Sequence, residues 1–352
     1  MKSIPPTHKS CYRAMFYAQP IILLGFFLTC SLADELAVMS RENEPFSFLV
    51  LSDLHYSKTS FEEVSECVRC IAIETKALTP APVLVGVTGD LAEGGTYQIV
   101  AGKQKFVRAT YLEMKEELEF ALRDVASSFN LPVLIAPGNH DKMDPGAKAY
   151  RDVVLPCLSK SIGLTLSQNY FSVRYNSAVL IFLDSWSGDY KEQNEFLQRV
   201  LAMARQTSGI NRLFVFAHPP LWRNTISAQQ IDPLLTSSIL PALRSNPTDA
   251  YFCGHIHRLS VVVRHFEGAA ITQVKGALRT GCQDALKSVI DQQLIFPRNA
   301  TPYYWAYFGG CRTYYVVRVL KEKVSLQLRA CGRGVIRECE WVQRGQLRDV
   351  QQ

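Results

Sequence analysis

Apolar residues along the chain fall into two alternating kinds of run. Short, uninterrupted runs lie at Phe46–Leu51, 83–87, 133–136, 213–217 and Ala250–Cys253, rich in β-branched and aromatic residues and too short for helices. They read as strands buried on both faces. Between them, apolar positions recur with a period near 3.6 over 61–78, at Tyr111, Met114, Leu118, Ala121, Leu122 and Val125, and over 194–204 and 231–243. Strand alternating with helix predicts an α/β fold. The segments 170–173 and 179–183 read as a hairpin around Asn176. Those at 259–266, 271–274, 314–320 and 324–328 read as strands with few helices between them, which predicts a second, mixed sheet.

Each of the five buried runs ends in side chains that can carry chemistry. Leu51 and Ser52 lead to Asp53, Leu54 and His55; Val87 and Thr88 to Gly89 and Asp90; Ala136 and Pro137 to Gly138, Asn139, His140 and Asp141. Phe216 and Ala217 lead to His218, and Phe252 and Cys253 to Gly254, His255, Ile256 and His257. Carboxyl ends of strands in α/β sheets gather at one edge, where ligands bind, so all five clusters are expected to meet there. Carboxylate, imidazole and carboxamide groups are what divalent transition metals accept, and five of the seven histidines lie in these clusters. On extended backbone, Asp53 and His55, and His255 and His257, would each point to one side. Glycines before Asp90, Asn139 and His255 would let the backbone turn tightly and approach a bound anion.

Composition narrows the setting. With 352 residues, 47% hydrophobic and 20% charged, the chain can bury a large core, and it carries no repeat or low-complexity segment, which excludes solenoid and disordered classes. Lys2, Lys9 and Arg13 precede an apolar run over 20–30 that ends in Ser31, Leu32 and Ala33. Residues 1–33 therefore read as a signal peptide cut after Ala33, for the secretory pathway and an extracellular or periplasmic site; the alternative is a membrane anchor over 14–33. Without residues 1–33, which hold three basic and no acidic residues, the net charge falls from +6 to +3, too little to suggest nucleic acid as partner. Eight of the ten cysteines lie outside that leader, an even number suited to an oxidising compartment. The expected bridges are Cys331 with Cys339 and Cys282 with Cys311, with Cys253 buried and Cys67 and Cys70 on a packed or disulfide-bonded helix. Asn299 opens a glycosylation sequon.

The ordered set Asp-x-His, Gly-Asp, Gly-Asn-His-Asp, a lone His after a strand, and Gly-His-x-His resembles the calcineurin-like metallophosphoesterases. The resemblance covers about 46–267, within a domain expected over 40–345, with 275–312 as a lid or insert. It implies a four-layer αββα sandwich of two mixed β-sheets flanked by helices, with metals at the carboxyl ends of the strands. By the same resemblance Asp53, His55 and His257 bind one metal, Asn139, His218 and His255 another, and Asp90 bridges them. His140 stands over the leaving oxygen as proton donor or charge stabiliser, with Asp141 holding its ring.

The implied cofactors are two transition-metal ions, Mn, Fe, Zn or Co, and the implied partner is a phosphomonoester or phosphodiester substrate. Two such ions lower the pKa of a shared water, so direct attack by a bridging hydroxide without a phosphoenzyme is the expected reaction. Purple acid phosphatases have a tyrosine three residues after the bridging aspartate; Glu93 stands there instead, so a ferric-tyrosinate site is not expected. Two other classes remain open: a nuclease, and a secreted or membrane-tethered interaction protein without catalysis. Around the site, Trp222 walls a pocket or simply packs, and Lys58 and Arg258 either meet phosphate or are solvated.

Overall fold

The computed structural model describes residues 36–349 except 43, 187, 223–232, 267–268, 277, 279–303, 309–311 and 345. The first elements are β1 (Ala37–Ser40), β2 (Phe46–Leu51), α1 (Phe61–Thr75), β3 (Pro82–Val87), β4 (Gly95–Val100), β5 (Lys103–Arg108), α2 (Tyr111–Phe129) and β6 (Val133–Ile135). Then come α3 (Asn139–Lys142), α4 (Gly146–Ile162), β7 (Phe171–Tyr175), β8 (Ala178–Phe182), α5 (Tyr190–Gln206), β9 (Arg212–Phe216), α6 (Pro233–Ser245) and β10 (Ala250–Cys253). The chain continues with β11 (Arg258–Phe266), β12 (Ala269–Lys275), β13 (Tyr304–Phe308), β14 (Thr313–Val319), β15 (Val324–Ala330), β16 (Gly334–Gln343) and β17 (Gln346–Asp349).

Two mixed sheets form. One has the order β1-β7-β8-β9-β10-β12-β11-β13, the other β17-β16-β15-β14-β2-β3-β6, and the hairpin β4-β5 stands apart. The α/β class and the two flanked sheets are as expected, but the five site-bearing strands do not share one sheet. Within the seven-stranded sheet, β2, β3 and β6 run parallel, while β9 and β10 run parallel in the eight-stranded one. The site is therefore built across the pair.

Continuous apolar runs are explained by burial on both faces. On β8, Leu180 and Phe182 point into the space between the sheets, whereas Val179 and Ile181 join the cluster under α5 and α6. Phe214 and Phe216 of β9 face inward in the same way, against Leu213 and Val215 outward. The inter-sheet layer is aromatic: Phe48 lies 5.1 Å from Phe214 and 6.3 Å from Phe252, and Phe216 lies 5.0 Å from Phe252. Burying each such ring contributes about 1.5–3 kcal/mol. Helices α1, α2 and α4 cover the other face of the seven-stranded sheet, burying Val68, Leu118 and Val154 among others. Helix α2 starts at a capping box, with Thr110 N donating to Glu113 Oε2 at 2.9 Å and Glu113 N to Thr110 Oγ1 at 3.3 Å.

Cys70 of α1 is bonded to Cys331, not Cys331 to Cys339. Cys339 lies opposite Leu326 on β15 while Cys331 sits in the turn after Ala330, so the register of the β15–β16 hairpin holds the expected pair apart. Cys67 and Cys253 are buried. Trp222 packs with Leu235 and Ile239, which settles it as core. Strands β1 and β17 extend the sheets beyond 40–345 at both ends, and Tyr304–Phe308, inside the expected lid, pairs with β11. The leader, Cys282, Cys311 and Asn299 lie outside the described residues. Among the described residues no helix is long and apolar enough to cross a membrane.

Candidate metal centre

The loops after β2, β3 and β10 carry unusual backbone. Asp53, His55, Asp90, His255 and His257 have φ of 54°, 53°, 52°, 73° and 51°, so five of the seven expected ligands are left-handed. Each such residue costs about 1–3 kcal/mol and persists only where its surroundings impose it. The expected extended alternation at Asp53/His55 and His255/His257 is thus corrected: each ligand is turned by its own left-handed residue. The loops after β2 and β3 brace one another, Asp53 N donating to Gly89 O (3.1 Å), His55 N to Asp90 O (3.0 Å) and Tyr56 N to Leu91 O (3.0 Å).

Two glycines make room for expected ligands. A methyl on Gly138 would overlap Asp90 Oδ1, and one on Gly254 would lie 2.5 Å from Asp53 Oδ2. Without side chains there, the Asp90 carboxylate also accepts from His140 N (2.9 Å) and Asp53 Oδ1 from His255 N (2.9 Å).

All seven expected ligands converge, in two groups. Donor atoms of Asp53, His55, Asp90 and His257 lie within 4.8 Å of one another, with His55 Nε2 3.0 Å from His257 Nε2. Asn139 Oδ1 lies 2.9 Å from His218 Nε2 and 2.8 Å from His255 Nδ1. Asp90 Oδ2 is 3.6 Å from His55 Nε2 and 3.1 Å from His218 Nε2, and so belongs to both groups.

The donor set fits metal ions. A carbonyl can only accept, so His218 Nδ1 carries a proton for Thr88 O at 2.8 Å and its Nε2 lone pair faces Asn139 Oδ1 and Asp90 Oδ2. His55 Nδ1 meets Glu93 Oε2 at 2.7 Å, which turns its Nε2 toward Asp90 and His257. Lone pairs packed against carboxylate and carboxamide oxygens repel unless a cation or a proton lies between them. Without metal, protons take that role: burial disfavours a charged His218, but Asp90 outweighs it and pushes the imidazole up to about 9. His55 is likewise raised, burial being overcome by Glu93 and Asp90. Burial and the nearby His218 push His255 down to about 4. Burial would raise Asp90, but His218, then His55 and His140, hold it well below the usual carboxylate range.

His140 stands beside the first group, its ring 4.7 Å from that of His55. Its Nδ1 donates to Glu93 O at 2.5 Å, which leaves Nε2 as the unprotonated nitrogen of a neutral ring. Asp141 does not hold this ring. Its oxygens accept from Ala92 N (3.1 Å) and Gly138 N (2.8 Å), so it fixes the loops that carry Asp90 and Asn139. Lys58 pairs with Glu113 and Glu116 on the surface, and the Arg258 side chain lies outside what is described.

Three contributors escaped sequence reasoning. Glu93, noted only as a missing tyrosine, orients His55 through its carboxylate and His140 through its carbonyl. Ser185 Oγ accepts from His218 N at 3.2 Å, and Asp184 pairs with Lys142 at 2.8 Å. The run over 179–183 ends in Asp184 just as the others end in ligands, and that was the available signal.

Comparison with known proteins is decided by one match. The profile of the calcineurin-like phosphoesterases matches residues 46–259, more than half of the chain. The chain belongs to this family. A search of curated protein sequences finds no match. Among solved structures, one titled GAP50, the anchor in the inner membrane complex of Plasmodium, aligns with a TM-score of 0.54 and 12% identity over 88% of this chain and 90% of that one. A dimetal phosphatase from Danio rerio aligns with a TM-score of 0.52 and 12% identity, over 86% of this chain and 100% of that one. At that identity both show the shared fold alone.

Proposed function

We propose that this calcineurin-like phosphoesterase hydrolyses a phosphate ester at a two-metal centre held by Asp53, His55, Asp90, Asn139, His218, His255 and His257. The observation that carries the reading is Asp90 Oδ2, placed between His55 Nε2 at 3.6 Å and His218 Nε2 at 3.1 Å, with a full donor set on each side. Asp, His and Asn donors suit Mn, Fe, Zn or Co. Two such ions, when bound, supply a water of lowered pKa and draw charge from the phosphoryl oxygens.

The chain's own residues do the rest. Asp90 joins the two donor sets, and Thr88 O and the Glu93 carboxylate orient His218 and His55. His140, oriented by Glu93 O, delivers a proton to the departing oxygen. Asp141 keeps the Asp90 and Asn139 loops in register.

Purified protein is expected to hold close to two transition-metal ions per chain and to cleave a nitrophenyl phosphate ester. His140→Ala should lower kcat by about 10²–10⁴-fold with metals retained. Asp90→Asn should lose at least one ion. Full turnover in the first variant would sink the role of His140; two ions and unchanged turnover in the second would sink the bridging role of Asp90.

A second reading, an interaction protein without catalysis, has one observation behind it: a structure of the same fold is titled an anchor. The complete donor set weighs against it. Protein that takes up no metal and turns nothing over would favour it.

A further inference from the structure

Two of the large apolar side chains exposed among the described residues belong to the surroundings of the metal centre. Tyr97, 61% exposed, lies on β4, and Trp186, 39% exposed, follows β8. They approach different ends of the donor cluster. In the hairpin, Tyr97 pairs with Phe106 and their rings lie 5.1 Å apart; the Phe106 ring lies 5.9 Å from His140, which abuts His55. Trp186 lies 5.5 Å from the His255 ring, in the other group.

The hairpin is fixed relative to the centre. Its root follows Glu93 directly, with Ala109 N donating to Gly94 O at 2.9 Å and Gly94 N to Glu117 Oε2 at 3.1 Å. Between hairpin and donors lies a cavity of about 270 Å³ whose walls include His55, Glu93, Tyr97, His140 and His257. Among its described lining residues there is no Lys or Arg, and Glu93 contributes a carboxylate.

These features choose between ester classes. A phosphomonoester carries one organic group and up to two negative charges; a phosphodiester carries two organic groups and one charge. Two ring surfaces, one at each end of the donors, give each of the two ester groups of a diester somewhere to stack, where a monoester has only one group to place. We propose that the centre acts on phosphodiesters whose ester groups are aromatic or otherwise flat and apolar, one lying on Tyr97 and Phe106, the other on Trp186. The inference rests on the phosphoesterase reading above. In the reaction, water supplies the oxygen of the new P–O bond, one ester P–O bond breaks, and the departing alcohol takes a proton. A phosphomonoester remains.

The test compares bis(p-nitrophenyl) phosphate with p-nitrophenyl phosphate on the metal-loaded full chain. The diester should show a kcat/KM at least about tenfold higher. Tyr97→Ala and Trp186→Ala should each raise the diester KM about tenfold, or about 1.4 kcal/mol. Trp186→Phe, which keeps a ring, should restore it, and Ile73→Ala on the exposed side of α1 serves as the control. Diphenyl phosphate should quench tryptophan fluorescence in the parent and not in Trp186→Phe. An equal or higher kcat/KM for the monoester would overturn the inference, as would diester KM values within twofold of the parent in both alanine variants, or quenching that is absent in the parent or persists in Trp186→Phe. Loaded parent that cleaves neither ester would overturn the phosphoesterase reading itself, and this inference with it.

Discussion

Gly138 and Gly254 leave open the space that two carboxylates need. A methyl on Gly138 would overlap Asp90 Oδ1, and neither the left-handed Asp90 nor the buried loop around it can retreat. Gly138→Ala is therefore expected to destabilise the fold by about 1–3 kcal/mol through overpacking, and to cut turnover about a hundredfold by displacing Asp90. Urea unfolding and steady-state kinetics check both; wild-type turnover would mean that Asp90 does not have to sit where it does. Residues of this kind were partly legible. The seven donors could be read because metal binding admits few side-chain types and each follows a buried apolar run. What could not be read was which neighbour each donor faces. Asp141 adjoins His140 in sequence yet bonds Ala92 and Gly138, while Glu93 reaches both His55 and His140. Such contacts depend on how three loops fold over one another, and no local spacing encodes them.

Among the elements, the hairpin β4-β5 hangs on Glu117. This α2 residue is nearly inaccessible, and burial pushes its carboxyl up to about 7; the Gly94 amide opposes the rise, Glu93 and Glu113 add to it, and Lys58 opposes it. The unfolded chain titrates this group near the ordinary glutamate value, so between about 4.5 and 7 the folded state binds more protons. Stability should therefore fall as pH rises through that window. Glu117→Gln keeps an acceptor for Gly94 N without the charge. Its Tm should exceed the parent's at pH 8 by roughly 2 °C, the shift that about 1 kcal/mol makes in a large domain, and match it at pH 5. Equal values at both pH settings would show that Glu117 is not ionised while buried. Core strands and amphipathic helices were legible because burial imposes a period. The hairpin was not, because Tyr97 and Ile99 alternate with polar residues on a surface that is exposed among the described residues, so burial imposes no period there. Helix α4 was hidden by Pro156 in its interior and Gly146 at its start, both of which read as breakers.

Across the whole molecule, each donor set draws on both sheets. Asp53, His55, Asp90 and Asn139 follow β2, β3 and β6, whereas His218, His255 and His257 follow β9 and β10. Metal ions bound there would join the sheets at one edge, over an inter-sheet layer of Phe48, Phe214, Phe216 and Phe252. Free metal at a hundred times its Kd should stabilise the fold by about 2.7 kcal/mol, and a chelator should remove that gain. The size of the gain depends on pH, and its sign follows from His218. In the metal-free chain its pKa is raised to about 9, so the stability contributed by that proton is present below about 6.5 and lost as pH rises through about 9. The metal-loaded chain has already given up that proton, and binding itself tightens as protons become scarce. The difference in Tm between metal-loaded and metal-free protein should therefore widen from pH 6 to pH 9. Calorimetric scans of both forms across that range measure it directly, and a difference that stayed constant or narrowed would mean that His218 is not among the groups metal has to deprotonate.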